Sequence, residues 1–416
     1  MNSIAYPTTL SPRRARPRSV PRLSRTAAFW AVAFAFLALT AFATAPSPLY
    51  GIYAQQDHLA PLTLTVVYAV YAIGVVASLL LAGHLSDTYG RRTVLIPGLA
   101  VAGAASVVFL TWTSLPGLLV ARLLTGLALG ASVATATAYI ADLDAGTDGV
   151  PSARSGIVAT IANVGGLAIG PLMAGVLARY VPGGVDLTFL VLLAGLIVAT
   201  IVVARAPESR EPVEPRPSYR PQRLRAPAEA RGQFIAATTG AFLTFAVGGL
   251  LAGLAGRFLA GPLHHTSTVL AGLVIFLNFG AGVLVQSTTT RWPAHRLIVA
   301  GLAPMLIGLI VLVASAWTAP PSLALFLIGS TIAGVGQGAI IRGSLSVVIA
   351  LANPAERAGA LATYFTAGYV GVSLPVLGAG VALQYLSPRV TLLAFAIAVG
   401  AGILAAAPLL VRRPGR

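Results

Sequence analysis

Windows of roughly 20 mostly apolar residues recur from one end of this chain to the other, each long enough to cross the hydrocarbon of a bilayer as a helix. They fall at Thr26–Tyr50, Leu62–Gly83, Thr93–Thr111, Leu118–Ile140, Gly156–Ala178 and Thr188–Ala204. After a polar stretch they resume at Phe234–Ala255, Thr268–Gln286, Leu297–Trp317, Ser322–Ile349, Gly359–Leu383 and Val390–Leu410. Glycine and proline are frequent inside the windows, which membrane helices tolerate. Composition agrees: 57% of the 416 residues are apolar and 9% are charged, against roughly 25% charged in a soluble domain.

The net charge of +16 invites a nucleic-acid reading, which the distribution of the charge excludes. The arginines fall in the gaps between apolar windows and in the N-terminal tail, and the aromatics lie inside the windows, so no basic face with stacking rings is formed. The chain has no cysteine, which excludes a disulfide framework and a Cys-based metal site. Every one of the 27 basic residues is arginine. A Gly-Lys-Ser/Thr phosphate loop and a metal-ligand cluster are both missing, so neither an ATP-driven pump nor an enzyme is expected, and no cofactor or metal is called for. Six arginines precede the first window, and Ala43-Thr44-Ala45 resembles a signal cleavage site. That window is too long for a signal h-region, so it is read as the first membrane helix.

Arginine placement sets the expected orientation. With the N-terminus inside, 22 arginines fall on the cytoplasmic side, and three (Arg179, Arg257, Arg389) fall outside. Arg122 and Arg342 lie within windows. The expectation is a multi-pass protein of the cell (inner) membrane with both termini cytoplasmic. Its parts are a tail over residues 1–25, a six-helix bundle over 26–205, a linker over 206–233, a second six-helix bundle over 234–411 and a tail over 412–416. The halves look related. Gly126 and Gly130 in the fourth window are echoed by Gly334 and Gly338 in the tenth, and Ala153-Arg154-Ser155-Gly156 by Glu356-Arg357-Ala358-Gly359. Duplication of this kind marks transporters built from two repeats around a midplane site.

Between the second and third windows stands Gly83-His84-Leu85-Ser86-Asp87-Thr88-Tyr89-Gly90-Arg91-Arg92. This loop, by sequence and position, resembles the G-x-L-[AS]-D-x-x-G-R-[RK] loop of the major facilitator superfamily. Arg122-x3-Gly126-x3-Gly130 in the fourth window and Gly166-x3-Gly170-Pro171-x2-Ala174-Gly175 in the fifth extend the resemblance. The latter departs from the antiporter branch's pattern at Ala174. The resemblance implies an all-α membrane protein of 12 helices in two pseudo-symmetric six-helix bundles. It further implies a conformational latch of Gly83, Asp87, Gly90, Arg91 and Arg92. In that latch Asp87 meets the amino end of helix 11, and Arg91 pairs with Asp142 at the inner end of helix 4. The helix-5 motif (Gly166, Gly170, Pro171, Gly175) is linked by the family to efflux.

Polar residues inside the windows are ligand candidates: Thr40, Thr44, Tyr68, Tyr71, Asn163, Thr238, Thr239 and Tyr369, and above all Arg122, Asn278, Gln337, Arg342 and Tyr364. A charged group in hydrocarbon faces a cavity or a partner, so Arg122 and Arg342 are expected to point between the halves. The eleven acids all fall in loops or at helix ends. That argues against the usual buried carboxylate of a proton antiporter and tilts the cargo toward neutral or anionic compounds. The expected partners are a small-molecule substrate, the lipid bilayer and a coupling proton, with the chain acting as a monomer and no nucleic acid bound. The expected function is secondary transport, as efflux of a small amphipathic compound by alternating access. Uptake of a metabolite by the same fold and a non-transporting receptor or scaffold are the alternatives.

Overall fold

The computed structural model describes residues 23–145, 149–210, 218–227, 230–353 and 356–410. The tail assigned to 1–25 up to residue 22, the tail 412–416 and parts of the 206–233 linker lie outside the described residues. Among the described residues the regular structure is helical, and twelve helices are long and apolar enough to cross a membrane. In chain order they are α1 Arg25–Gln56, α2 Pro61–Ala82, α3 Arg91–Thr111, α4 Leu115–Ala145, α5 Ala153–Tyr180 and α6 Gly184–Ala204, then α7 Arg231–Ala260, α8 Thr268–Thr288, α9 Ala294–Trp317, α10 Leu323–Leu351, α11 Arg357–Tyr385 and α12 Pro388–Leu410. Several run past their apolar windows, α4 and α7 most clearly, because hydropathy reports the segment in hydrocarbon and not the turns beyond it.

Close packing without a hydrophobic driving force demands small residues at the crossings, and the glycines supply them in matching pairs. On α4, a side chain at Gly126 or Gly130 would collide with the backbone of α2 at Tyr71 and Val75; on α10, one at Gly334 or Gly338 would collide with α8 at Asn278 and Gly282. Gly166 and Gly170 of α5 abut α1 at Leu37 and Ala41, as Gly371 of α11 abuts α7 at Phe242. The two halves are thus built by the same crossings.

Between halves, α5 meets α8 and α11 meets α2. A Cβ at Gly175 would strike the Thr268 carbonyl, one at Gly272 the Pro171 carbonyl and one at Gly380 the Thr65 side chain. The Thr268 hydroxyl also donates to the Gly175 carbonyl at 2.9 Å. These approaches all lie toward the end of the bundle remote from the linker, hereafter the opposite end. At the linker end a different element intervenes. The Gln222 N–H donates to the Leu80 carbonyl (2.8 Å) and the Tyr219 hydroxyl to the Leu81 carbonyl (2.9 Å), both at the last turn of α2. Three residues on, the Arg225 N–H donates to Thr363 Oγ1 (3.0 Å), which returns a bond to the Arg225 carbonyl (2.9 Å), both on the first turns of α11. Linker residues 218–227 therefore lodge between α2 and α11. A helix leaves its final carbonyls unpaired, and at α2 the linker takes two of them.

Candidate functional site

Two regions carry polar groups that packing alone does not account for. The first is the loop from α2 to α3, where a short helix, Leu85–Tyr89, leads to Gly90. Gly90 sits at φ +100°, and a Cβ there would overlap the carboxylate of Glu208. That carboxylate accepts from the N–H of Arg91 (2.7 Å) and of Arg92 (3.1 Å), so an acid from the far side of α6 caps the positive end of α3. Arg91 is buried and ion-pairs with Asp87 (2.8 Å) and Asp142 (3.1 Å), with Ser86 Oγ at 2.8 Å. Ser209 donates to Asp142 as well (3.1 Å), while Arg92 donates to the Ala204 and Ala206 carbonyls. Gly83 closes α2.

The resemblance implies that Asp87 meets the amino end of helix 11; in this arrangement Asp87 pairs with Arg91, among the described residues no bond joins it to α11, and its side chain is 58% exposed. Here the linker occupies the space between the ends of α2 and α11. Sequence reasoning missed Glu208, an acid among several in a polar stretch. The signal that pointed to it was Gly90, whose positive φ exposes the first N–H groups of α3.

The second region lies beneath the opposite-end closure. Pro46 and Pro48 cannot donate to the ladder of α1, and the helix breaks into a 3-10 turn, Ser47–Leu49, before resuming at Tyr50. Ala43, in the last turn before the break, offers its carbonyl to Arg122 Nη1 at 2.7 Å. Arg122 is 1% exposed, and its Nε–H has no partner. The guanidinium carbon lies 4.5 Å from the Tyr71 ring centre and 5.6 Å from that of Tyr68. Such cation–π contacts offset part of the cost of burial, which on insertion scales is about 2.5–3.5 kcal/mol for an arginine at a helix centre. Tyr71 packs edge-on to Tyr369 of α11 (6.2 Å), Tyr369 to Phe245 of α7 (5.9 Å) and Tyr68 to Tyr50 (6.5 Å). The cluster therefore joins both halves. Above it, a pocket of about 250 Å³ between the halves is lined by Ser47, Tyr50, Gly253, Arg257, His265 and Thr268.

The other candidates are not brought to this cluster. Arg342 donates to the Gln286 carbonyl (2.6 Å) and the Thr290 carbonyl (3.3 Å) at the end of α8, so its bonds are to backbone of the second half. The Tyr364 hydroxyl, fully buried, bonds with Ser344 Oγ (2.8 Å) and the Ile341 carbonyl (3.2 Å). Asn278 donates to the Ser330 carbonyl (3.0 Å), and the side-chain oxygens of Asn278 and Gln337 are buried without partners. Thr40 and Thr44 hold α5. Pro171 leaves the Leu167 carbonyl without its helical donor, and Thr44 supplies one at 3.1 Å. Thr40 donates to the Ala162 carbonyl (2.9 Å) in a π-helical turn, Ile161–Gly165.

The chain resembles known proteins in sequence and in fold. It is 30% identical to the bacillibactin exporter of Bacillus subtilis over 122 residues, 28% of this chain and 30% of that protein. It is 32% identical to the 4-hydroxybenzoate transporter PcaK of Pseudomonas aeruginosa over 142 residues, 33% of this chain and 30% of that protein. The match thus spans less than a third of the length of either relative. Among solved structures, the human organic anion transporter MFSD10 superposes with a TM-score of 0.68 at 16% identity, covering 94% of this chain and 100% of that one. A bacterial homologue of the human lysosomal transporter Spinster gives 0.60 at 18% identity, over 93% of this chain and 95% of that one. The profile of the Major Facilitator Superfamily matches residues 29–318, and with twelve helices in that fold the chain belongs to this superfamily.

Proposed function

We propose that the chain is a secondary transporter that exports a small amphipathic compound across the cell membrane by alternating access. The observation that carries the reading is the asymmetry between the ends of the bundle. At the opposite end, α5 meets α8 and α11 meets α2 through glycines, whereas at the linker end residues 218–227 lie between α2 and α11. Two halves packed tightly at one end and held apart at the other form one of the two states that alternating access requires. With the linker end cytoplasmic, as the arginine bias directs, this is the state closed to the outside. The Asp87–Arg91–Asp142 loop is the latch of the other state, in which α2 and α11 approach at the cytoplasmic end and the linker is displaced.

Export rests on the α5 motif around Pro171 and on the exporter among the relatives. Uptake by the same fold is the second reading, since among the described residues no carboxylate pairs with Arg122 to serve a proton antiport of the usual kind. Membrane vesicles of known orientation, loaded with a compound panel under an imposed proton gradient, separate the two. Net movement out of the cytoplasmic compartment supports export, gradient-driven movement inward supports uptake, and no movement of any compound removes the transport reading.

A further inference from the structure

The Arg122 cluster is unfinished in a way that specifies what would complete it. A guanidinium carries five N–H groups in a planar fork that matches a carboxylate. Here Nη1 is engaged by a single neutral carbonyl, that of Ala43, and Nε–H is buried and unmet. None of the ion pairs among the described residues involves Arg122. The Tyr50 hydroxyl is also buried without a partner, and Tyr50 lines the pocket between the halves at the opposite end. Around the charge stand rings from both halves, running from Tyr50 to Tyr68, and from Tyr71 to Tyr369 and Phe245. An isolated positive charge, an open donor and a ring-lined wall call for an occupant that is anionic at one end and flat and apolar at the other.

We propose that Arg122, with Tyr50, Tyr68, Tyr71, Tyr369 and Phe245, forms a binding site for a small aromatic carboxylate. Its carboxylate takes the Nε–Nη fork of Arg122 and the Tyr50 hydroxyl in place of the Ala43 carbonyl, and its ring lies against the aromatic wall. The Ala43 carbonyl holds Arg122 only while the site is empty, because a bidentate charged partner is the stronger acceptor. A cation is repelled by the guanidinium, and a neutral amide offers one uncharged acceptor where the fork of Arg122 takes two charged oxygens. That the occupant is cargo rests on the transport reading above; that the site takes an aromatic carboxylate does not.

The test uses full-length protein in nanodiscs of zwitterionic lipid and equilibrium dialysis with two matched sets, benzoate, benzamide and benzylamine, and 2-naphthoate, 2-naphthamide and 2-naphthylmethylamine. In at least one set the acid is expected to bind tenfold or more tighter than the amide, and the amine weakest. Arg122→Gln is expected to bring the acid down to the amide, and Arg122→Lys to keep part of the preference. Should Arg122→Gln fail to fold, Tyr369→Leu in the other half serves, weakening acid and amide by a similar factor and leaving their ratio intact. Acid and amide binding equally in both sets, or a preference that survives Arg122→Gln, overturns the site. Arg122-dependent binding of an acid that vesicles do not move leaves the site standing and removes the transport reading. Transport of some compound by vesicles, with acid and amide bound equally in both sets, does the reverse.

Discussion

Single hydroxyls and carboxylates in this protein repair backbone that proline and chain ends leave open. Thr44 was legible as a polar residue in an apolar window, but its task depends on α5 lying alongside with Pro171 at the right height, which a linear pattern does not encode. Replacing it by valine keeps the volume and removes the donor to the Leu167 carbonyl. Thr44→Val is expected to cost about 0.6–2 kcal/mol, the range for interhelical hydrogen bonds in membranes, read as a lower midpoint of thermal unfolding in nanodiscs. An unchanged midpoint would mean that Leu167 finds another donor. Glu208 is the sharper case. It caps α3 from a segment with no apolar period, so only Gly90 hinted at an acid nearby. Glu208→Gln keeps an acceptor but loses the charge, and a loss of roughly 0.3–2 kcal/mol is expected for a partly buried carboxylate at a helix amino end. Because the interaction is electrostatic, the loss should shrink as salt is raised, and a salt-independent difference would contradict the assignment.

Among elements, the glycine crossings were the most legible part of the fold, because spacing of four on a helix places residues on one face whatever lies opposite. The repeated pairs at Gly126/Gly130 and Gly334/Gly338 meet α2 and α8 in equivalent ways. What spacing could not tell is that Gly175 and Gly380 face the other half instead of their own. Gly175→Val puts a branched side chain against the Thr268 carbonyl, which opposes closure of the opposite end without touching the Arg122 cluster. In purified Ser47→Cys protein, whose thiol would replace a buried hydroxyl lining the opposite-end pocket, adding Gly175→Val is expected to speed thiol labelling several-fold. Equal labelling rates would show that α5 and α8 do not form the closure.

For the molecule as a whole, hydropathy and arginine placement gave the helix number and an orientation, since both report the solvent around each segment and need no knowledge of packing. Arg342 shows where that reasoning stops: a charge in a window must find a partner, but the partner proved to be the carbonyl end of α8 within the same half. The orientation is open to direct test because the chain has no cysteine of its own. In intact cells treated with an impermeant thiol reagent, Ser267→Cys at the opposite end is expected to label and Ser218→Cys in the linker is not. The reverse pattern would invert the protein in the membrane and, with it, the side to which this state is closed.

The linker's place between α2 and α11 also gives the protein a clock of its own. The Gln222 and Arg225 amides belong to a stretch with no regular secondary structure, where backbone protons ordinarily exchange with solvent deuterium within seconds, yet both are tied to the bundle, Gln222 to Leu80 and Arg225 to Thr363. Their exchange is slow only for as long as the linker stays lodged, so the deuterium uptake of this one short peptide reports how often the linker end rearranges, without any label or substitution.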